Sequence, residues 1–102
     1  MKNLSIAFIA PREMRRLNRT YHGEDRVTDV LAFGEGDPWE LIVCPAYVKA
    51  QAKRAGEPFR RELTRVLVHG TLHLLGHDHA TPQEAERMFA KQEAIIQNMT
   101  ND

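Results

Sequence analysis

Residues 58–76 constrain the fold more than any other stretch of this chain. Proline opens the segment and glycine closes it. Between them Leu63, Val66, Leu67, Val68, Leu72, Leu74 and Leu75 leave hardly a face without an apolar side chain. A run of that length and pattern is a helix, and a helix apolar on nearly every side belongs at the buried centre of a domain. The remaining elements must pack around it. His69 and His73 ride on this helix, so they are not surface decoration.

The flanking elements are set by periodicity and punctuation. Residues 4–9 read as a core strand, with Leu4, Ile6 and Phe8 on one face. Pro11 suits the first turn of a helix reaching about Thr20, because its missing N–H has no intrahelical partner there. Residues 21–26 read as a polar loop carrying His22, and residues 27–33 as a strand. Gly34-Glu35-Gly36-Asp37-Pro38 breaks that strand, and residues 41–44 form another. Pro45 begins a helix that Gly56 stops. Thr81-Pro82-Gln83-Glu84 is a helix start with a hydroxyl N-cap, and Met88, Phe89, Ile95, Ile96 and Met99 supply the inner face of the last helix. The sum is one small α+β domain, with three to four strands and four helices around a buried central helix.

Composition removes several function classes. A chain of 102 residues has room for one domain. Its 14 basic and 14 acidic side chains cancel, so attraction to nucleic acid must come from a local patch. Arg12, Arg15, Arg16 and Arg19 share much of one helix surface and offer one, diluted by Glu13. Arg60, Arg61 and Arg65 offer another. Cys44 stands alone, which excludes an internal disulfide and fits a reducing cytoplasm. No apolar run approaches the roughly 20 residues of a membrane helix, so the expectation is a soluble, cytoplasmic protein.

Four of the five histidines fall between His69 and His79. His69 and His73 are four apart, hence on one helix face and about 6 Å apart along the axis. Two imidazoles so placed can converge on one ion through bonds of roughly 2.0–2.1 Å. A continuing helix would carry His77 about 12 Å from His69, too far to share a metal. The chain must therefore turn, and Gly76 permits a left-handed cap. Past that turn either His77 or His79 can fold back, and spacing does not choose between them. Three neutral nitrogens without a fourth protein ligand describe an open catalytic site rather than a closed structural one.

Gly70 is informative by what it is not. In zinc proteases a glutamate follows the first histidine and serves as general base. Its absence argues against a peptidase of that kind. A zinc ion still lowers the pKa of water to near neutrality. Asp78 is then the nearest group for proton transfer, or for orienting a ligand imidazole from outside the metal's own shell.

His69, Gly70, Leu72, His73, Leu74, Gly76, Asp78 and His79 resemble the pattern His-Gly-x-Leu-His-Leu-x-Gly-Tyr-Asp-His of the YbeY family of zinc-dependent endoribonucleases. A second block, Leu17-Asn18, Tyr21, Asp25 and Thr28-Asp29-Val30-Leu31-Ala32-Phe33, is similar to that family's other motif. The resemblance runs from Leu4 to Met99 across one domain, residues 1–102, with no counterpart of the family's first strand and helix. It implies one Zn²⁺ per chain, held by His69, His73 and His79, and so selects His79 over His77. It implies cleavage of single-stranded RNA in maturation of the small-subunit ribosomal RNA 3′ end and in ribosome quality control. The implied partners are ribosomal RNA and the small ribosomal subunit or its proteins.

His22 stands where the family carries an arginine implicated in activity, so His22 and Asp78 become the candidate catalytic groups. Arg12, Arg16 and Arg19 are the candidate substrate-binding side chains. His77 replaces the family's tyrosine, and Ala32 and Gly34 replace serine and proline. Two other readings remain: a non-catalytic ribosome-assembly factor with a structural zinc, and another zinc hydrolase such as an amidase.

Overall fold

The computed structural model describes residues 3–77 and 79–100. Among these the chain order is β1 (Leu4–Phe8), α1 (Pro11–His22), β2 (Val30–Phe33), β3 (Trp39–Val43), α2 (Pro45–Ala55), α3 (Phe59–Leu74) and α4 (Pro82–Thr100). β3 is the middle strand, parallel to β1 and antiparallel to β2. The expected α+β class, with three strands and four helices, is what forms.

Alternation along the strands divides the core. Leu31 and Cys44 pack with Met14 of α1, alongside Leu17, Phe33 and Ile42. Val43 packs on Val48 of α2 and Val66 of α3, alongside Val30, Leu63 and Leu67. The period of two in a strand sends successive side chains to opposite faces, so a four-residue β2 serves both cores. The result is α1, sheet, and α2 with α3 in layers, with α4 packed against α3. Cys44 is a buried free thiol.

The helix ends reflect local chemistry. Gly56 and Gly76 have positive φ, as an L side chain rarely does. At Gly76 the amide of His77 donates to the Leu72 carbonyl at 3.0 Å, and that of Gly76 to His73 at 3.0 Å. These two bonds reverse the chain just beyond α3. The Thr81 hydroxyl accepts the Glu84 N–H at 3.1 Å, the N-cap expected for α4.

Four expectations need correction. The first helix continues through Tyr21 and His22, because Gly23 at φ 70° is the first residue able to close it. β2 begins at Val30 rather than 27, because the Asp29 carboxylate takes the Val30 N–H at 2.7 Å and the Asn18 amide holds the Arg26 carbonyl at 3.0 Å. Side chains thus hold the Arg26 carbonyl and the Val30 N–H, while the Asp29 carbonyl still accepts the Cys44 N–H at 2.9 Å. β1 is no core strand: all five residues are exposed, Phe8 by 56%, because the helices cover β2 and β3 and leave this edge bare. On α4, Phe89 and Met99 face outward, while Met88, Gln92 and Ile96 are buried. No helix among the described residues is long and apolar enough to cross a membrane.

Gly70 has a packing role besides lacking the protease glutamate. A Cβ there would lie 2.8 Å from Leu41 Cδ2 and 3.4 Å from Val30 Cγ2. The missing side chain lets α3 settle directly on the sheet. Gly70→Ala gains helix propensity of about 0.5–1 kcal/mol but overpacks a buried contact at about 1–3 kcal/mol. The net expectation is a loss of about 1 kcal/mol, seen as a fall of roughly 4–8 °C in Tm. An unchanged melt would contradict this packing.

Candidate metal centre and cleft

The turn at Gly76 brings the distal loop back over α3. The imidazoles of His69, His73 and His79 gather so that one nitrogen from each lies within 4.8 Å of the others. Ring centroids are 4.9 Å apart for His69 and His73, 4.8 Å for His73 and His79, and 5.9 Å for His69 and His79. His77 contributes its backbone N–H to the helix cap, not a ring to this group. These three side chains could hold one metal ion.

The tautomer of His69 is dictated from α4. Gln92 is 5% exposed, and its Oε1 lies 2.8 Å from His69 Nδ1. Its amide nitrogen donates to Glu93 Oε2 at 3.1 Å. A carboxylate only accepts, so the Gln92 nitrogen must face Glu93 and its oxygen must face His69. Nδ1 of His69 therefore carries the proton, and Nε2 keeps the lone pair for the cluster. The donor set fits a divalent ion on this ground, because the ring whose tautomer can be traced is held in the ligating form.

Glu93 is fixed in turn. Arg65 grips both its oxygens at 3.0 Å and reaches Glu62 at 3.0 Å. The hydrogen bonds from Arg65 hold the Glu93 carboxyl below its ordinary value, and desolvation opposes this only in part. Arg65 is thus a clasp between α3 and α4 rather than a phosphate site. A carboxyl lowered in the folded state adds stability above its unfolded pKa, and that stability is lost as pH falls through the folded value. Denaturant unfolding repeated from neutral pH down through the ordinary value of 4.5 should therefore show stability declining. Glu93→Gln should flatten that decline, and an unaltered slope would contradict the clasp.

A cleft of about 610 Å³ opens beside the cluster, lined by His69, Gly70, His73 and His79 on one side and by His22, Asp29 and Gly34 on another. His22, exposed in the last turn of α1, thus reaches the same cleft as the three histidines. Asp29 lines it but is occupied structurally, by Val30 and by the Gln51 amide at 3.2 Å. Asp78 lies outside the described residues. The α1 arginines do not line this cleft: Arg16 pairs with Glu13, and Arg15 and Arg19 pair with Asp25. The Arg15 hydrogen bond holds the exposed Asp25 carboxyl below its ordinary value.

Gln92, Glu93 and Arg65 escaped the sequence reading as parts of a metal site. Gln92 sits four residues from both Met88 and Ile96, and a polar residue inside a buried i, i+4, i+8 stripe was the available signal.

Fold and cleft together define a small α+β domain whose three-histidine group, beside an open cavity, could hold a metal ion. The chain belongs to the Endoribonuclease YbeY family, whose profile matches residues 1–100. It is 40% identical to the endoribonuclease YbeY of Myxococcus xanthus (strain DK1622) in an alignment that covers 91% of this chain and 35% of that protein. It is 36% identical to the Staphylococcus carnosus (strain TM300) endoribonuclease YbeY in an alignment that covers 93% of this chain and 71% of that one. The solution structure of TM1509 from Thermotoga maritima superposes with a TM-score of 0.68 at 33% identity, covering 95% of this chain and 67% of that one. The resemblance carried by the two motif blocks is borne out.

Proposed function

We propose that this chain is a zinc-dependent endoribonuclease that cuts single-stranded RNA in ribosomal RNA maturation, at the small-subunit 3′ end and in ribosome quality control. The observation that carries the reading is the convergence of His69, His73 and His79 at the side of an open cleft. A cluster that opens on a cavity leaves room for a phosphodiester, whereas a structural zinc site is closed by its four ligands.

His69, His73 and His79 would hold the ion, and Gln92 keeps His69 in the tautomer that can do so. A zinc ion held by these three side chains would supply Lewis-acid polarisation of a phosphoryl oxygen and acidification of the attacking water. His22 is the candidate for hydrogen bonding to the phosphate or donating a proton to the leaving oxygen, since it lines the same cleft. Asp78, next to His79 in sequence, is the candidate for accepting a proton. Arg19 lies one helical turn before His22, with Arg16 and Arg12 further back, and these three are the substrate-binding candidates outside the cleft, Arg16 and Arg19 exchanging Glu13 and Asp25 for phosphate. Residues 1–102 act in this reading as one domain, in the cytoplasm, with ribosomal RNA and the small subunit or its proteins as partners.

The test is cleavage of single-stranded RNA by purified protein with and without a chelator. Metal-dependent cutting that duplex RNA resists is expected. A protein that binds zinc stoichiometrically yet cuts no RNA would overturn the reading.

A further inference from the structure

A second cavity, of about 650 Å³, adjoins the metal cleft and shares His22, Ala32 and Gly34 with it. Nothing in the mechanism above uses it. Its size falls in the range of small-molecule sites, roughly 300–1,000 Å³. Leu17 and Ile42 give it apolar lining, and Tyr21 and Phe33 add aromatic rings. Those two rings meet edge to face, with centroids 5.3 Å apart at 72°. Phe33 thereby braces Tyr21, which remains 63% exposed. A braced, accessible ring beside a phosphate-cutting cleft is a platform on which a nucleobase stacks.

The polar lining selects which part of the RNA enters. Glu35, Asp37 and Glu40 line the cavity, while no lysine or arginine does among the described residues. Asp37 also receives the Asn3 backbone N–H at 3.4 Å. Carboxylates repel phosphate, so the backbone stays in the neighbouring cleft and a base turns into this one. An ionised carboxylate only accepts, so it favours a base edge rich in N–H donors. Guanine presents two adjacent donors, N1–H and N2–H, which match the two oxygens of one carboxylate. Adenine and cytosine each offer one exocyclic amine, and uracil one ring N–H.

We propose that this cavity is a guanine subsite, stacking the base of a nucleotide next to the scissile phosphate on Tyr21 and reading its donor edge with Glu35 or Glu40. The placement beside the scissile phosphate rests on the ribonuclease reading; the base preference does not. The experiment therefore has two arms. In the first, the 102-residue chain is titrated with guanosine, adenosine, cytidine and uridine, which lack phosphate, while aromatic NMR signals are followed. Guanosine should shift Tyr21 and Phe33 and bind more tightly than the others by about 5- to 150-fold, the discrimination expected of one bidentate pair. The exposed Tyr21→Ala should weaken guanosine by a similar factor. Glu35→Gln with Glu40→Gln should bring the four nucleosides within about twofold of one another, since an amide no longer offers two acceptors. Equal or absent binding of all four would overturn the proposal.

In the second arm, cleavage of randomised single-stranded RNA is mapped by sequencing. A guanosine enriched at one fixed position beside the cut, and lost in Tyr21→Ala, supports the subsite. Cutting without any such preference overturns it and leaves the ribonuclease reading intact. Selective guanosine binding with no cutting of any RNA supports the subsite as a base-binding site and overturns the ribonuclease reading.

Discussion

His79→Ala is expected to weaken zinc binding by more than about 100-fold and to reduce RNA cleavage to background, with the metal-free protein melting as before. The scale is set by the outer partners of metal ligands, whose removal already costs about 10- to 100-fold; a ligand itself counts for more. The fold should survive because His79 lies exposed in the loop after α3, outside every helix and strand. Exposed substitutions of this kind usually stay within about 0.5 kcal/mol. His77→Ala is the matched control: its ring is not in the group of three, so zinc binding should persist. Isothermal titration with zinc on both variants checks the pair, and equal zinc affinity in the two would refute the choice of His79.

Gln92→Leu carries the second large effect. Leucine keeps the bulk of a residue buried on α4 but offers no acceptor to His69 Nδ1. The ring is then free to take the other tautomer or to rotate, and zinc affinity should fall by about 10- to 100-fold. A purely structural role for Gln92 would show as a lower Tm of the metal-free protein, with zinc affinity preserved. Gln92→Glu restores an acceptor and should recover most of the affinity. Competition against a chromogenic chelator measures all three proteins, and native affinity in Gln92→Leu would remove Gln92 from the site.

Much of the fold was legible in the residues because it depends on short-range chemistry. Pro45 and Gly56 bound α2 as their φ preferences dictate, and Thr81 caps α4 as its hydroxyl allows. The turn at Gly76 was readable because only a reversal lets a third imidazole rejoin His69 and His73. The choice between His77 and His79 was not, since both come soon after the glycine; it came from the family motif, and the geometry agrees.

The features that escaped depend on tertiary placement. Nothing local in residues 4–8 says that their side chains stay exposed, so an alternating apolar strand read as core. The α1 arginines read as a cationic patch diluted by Glu13, and spacing did not show that Asp25, six to ten residues away, folds back onto two of them. Tyr21 and His22 looked like loop residues until Gly23 fixed the helix end, and only that extra half-turn sets both beside the cleft. Gln92 was hidden by its type: polarity suggests solvent, while its register puts it against His69.

Elemental analysis of protein purified without added metal tests the central claim most directly. One transition-metal ion per chain, lost from His73→Ala and His79→Ala alike but kept by His77→Ala, is the result expected. Folded, RNA-cleaving protein that contains no metal, or that retains its full complement after both substitutions, would contradict it.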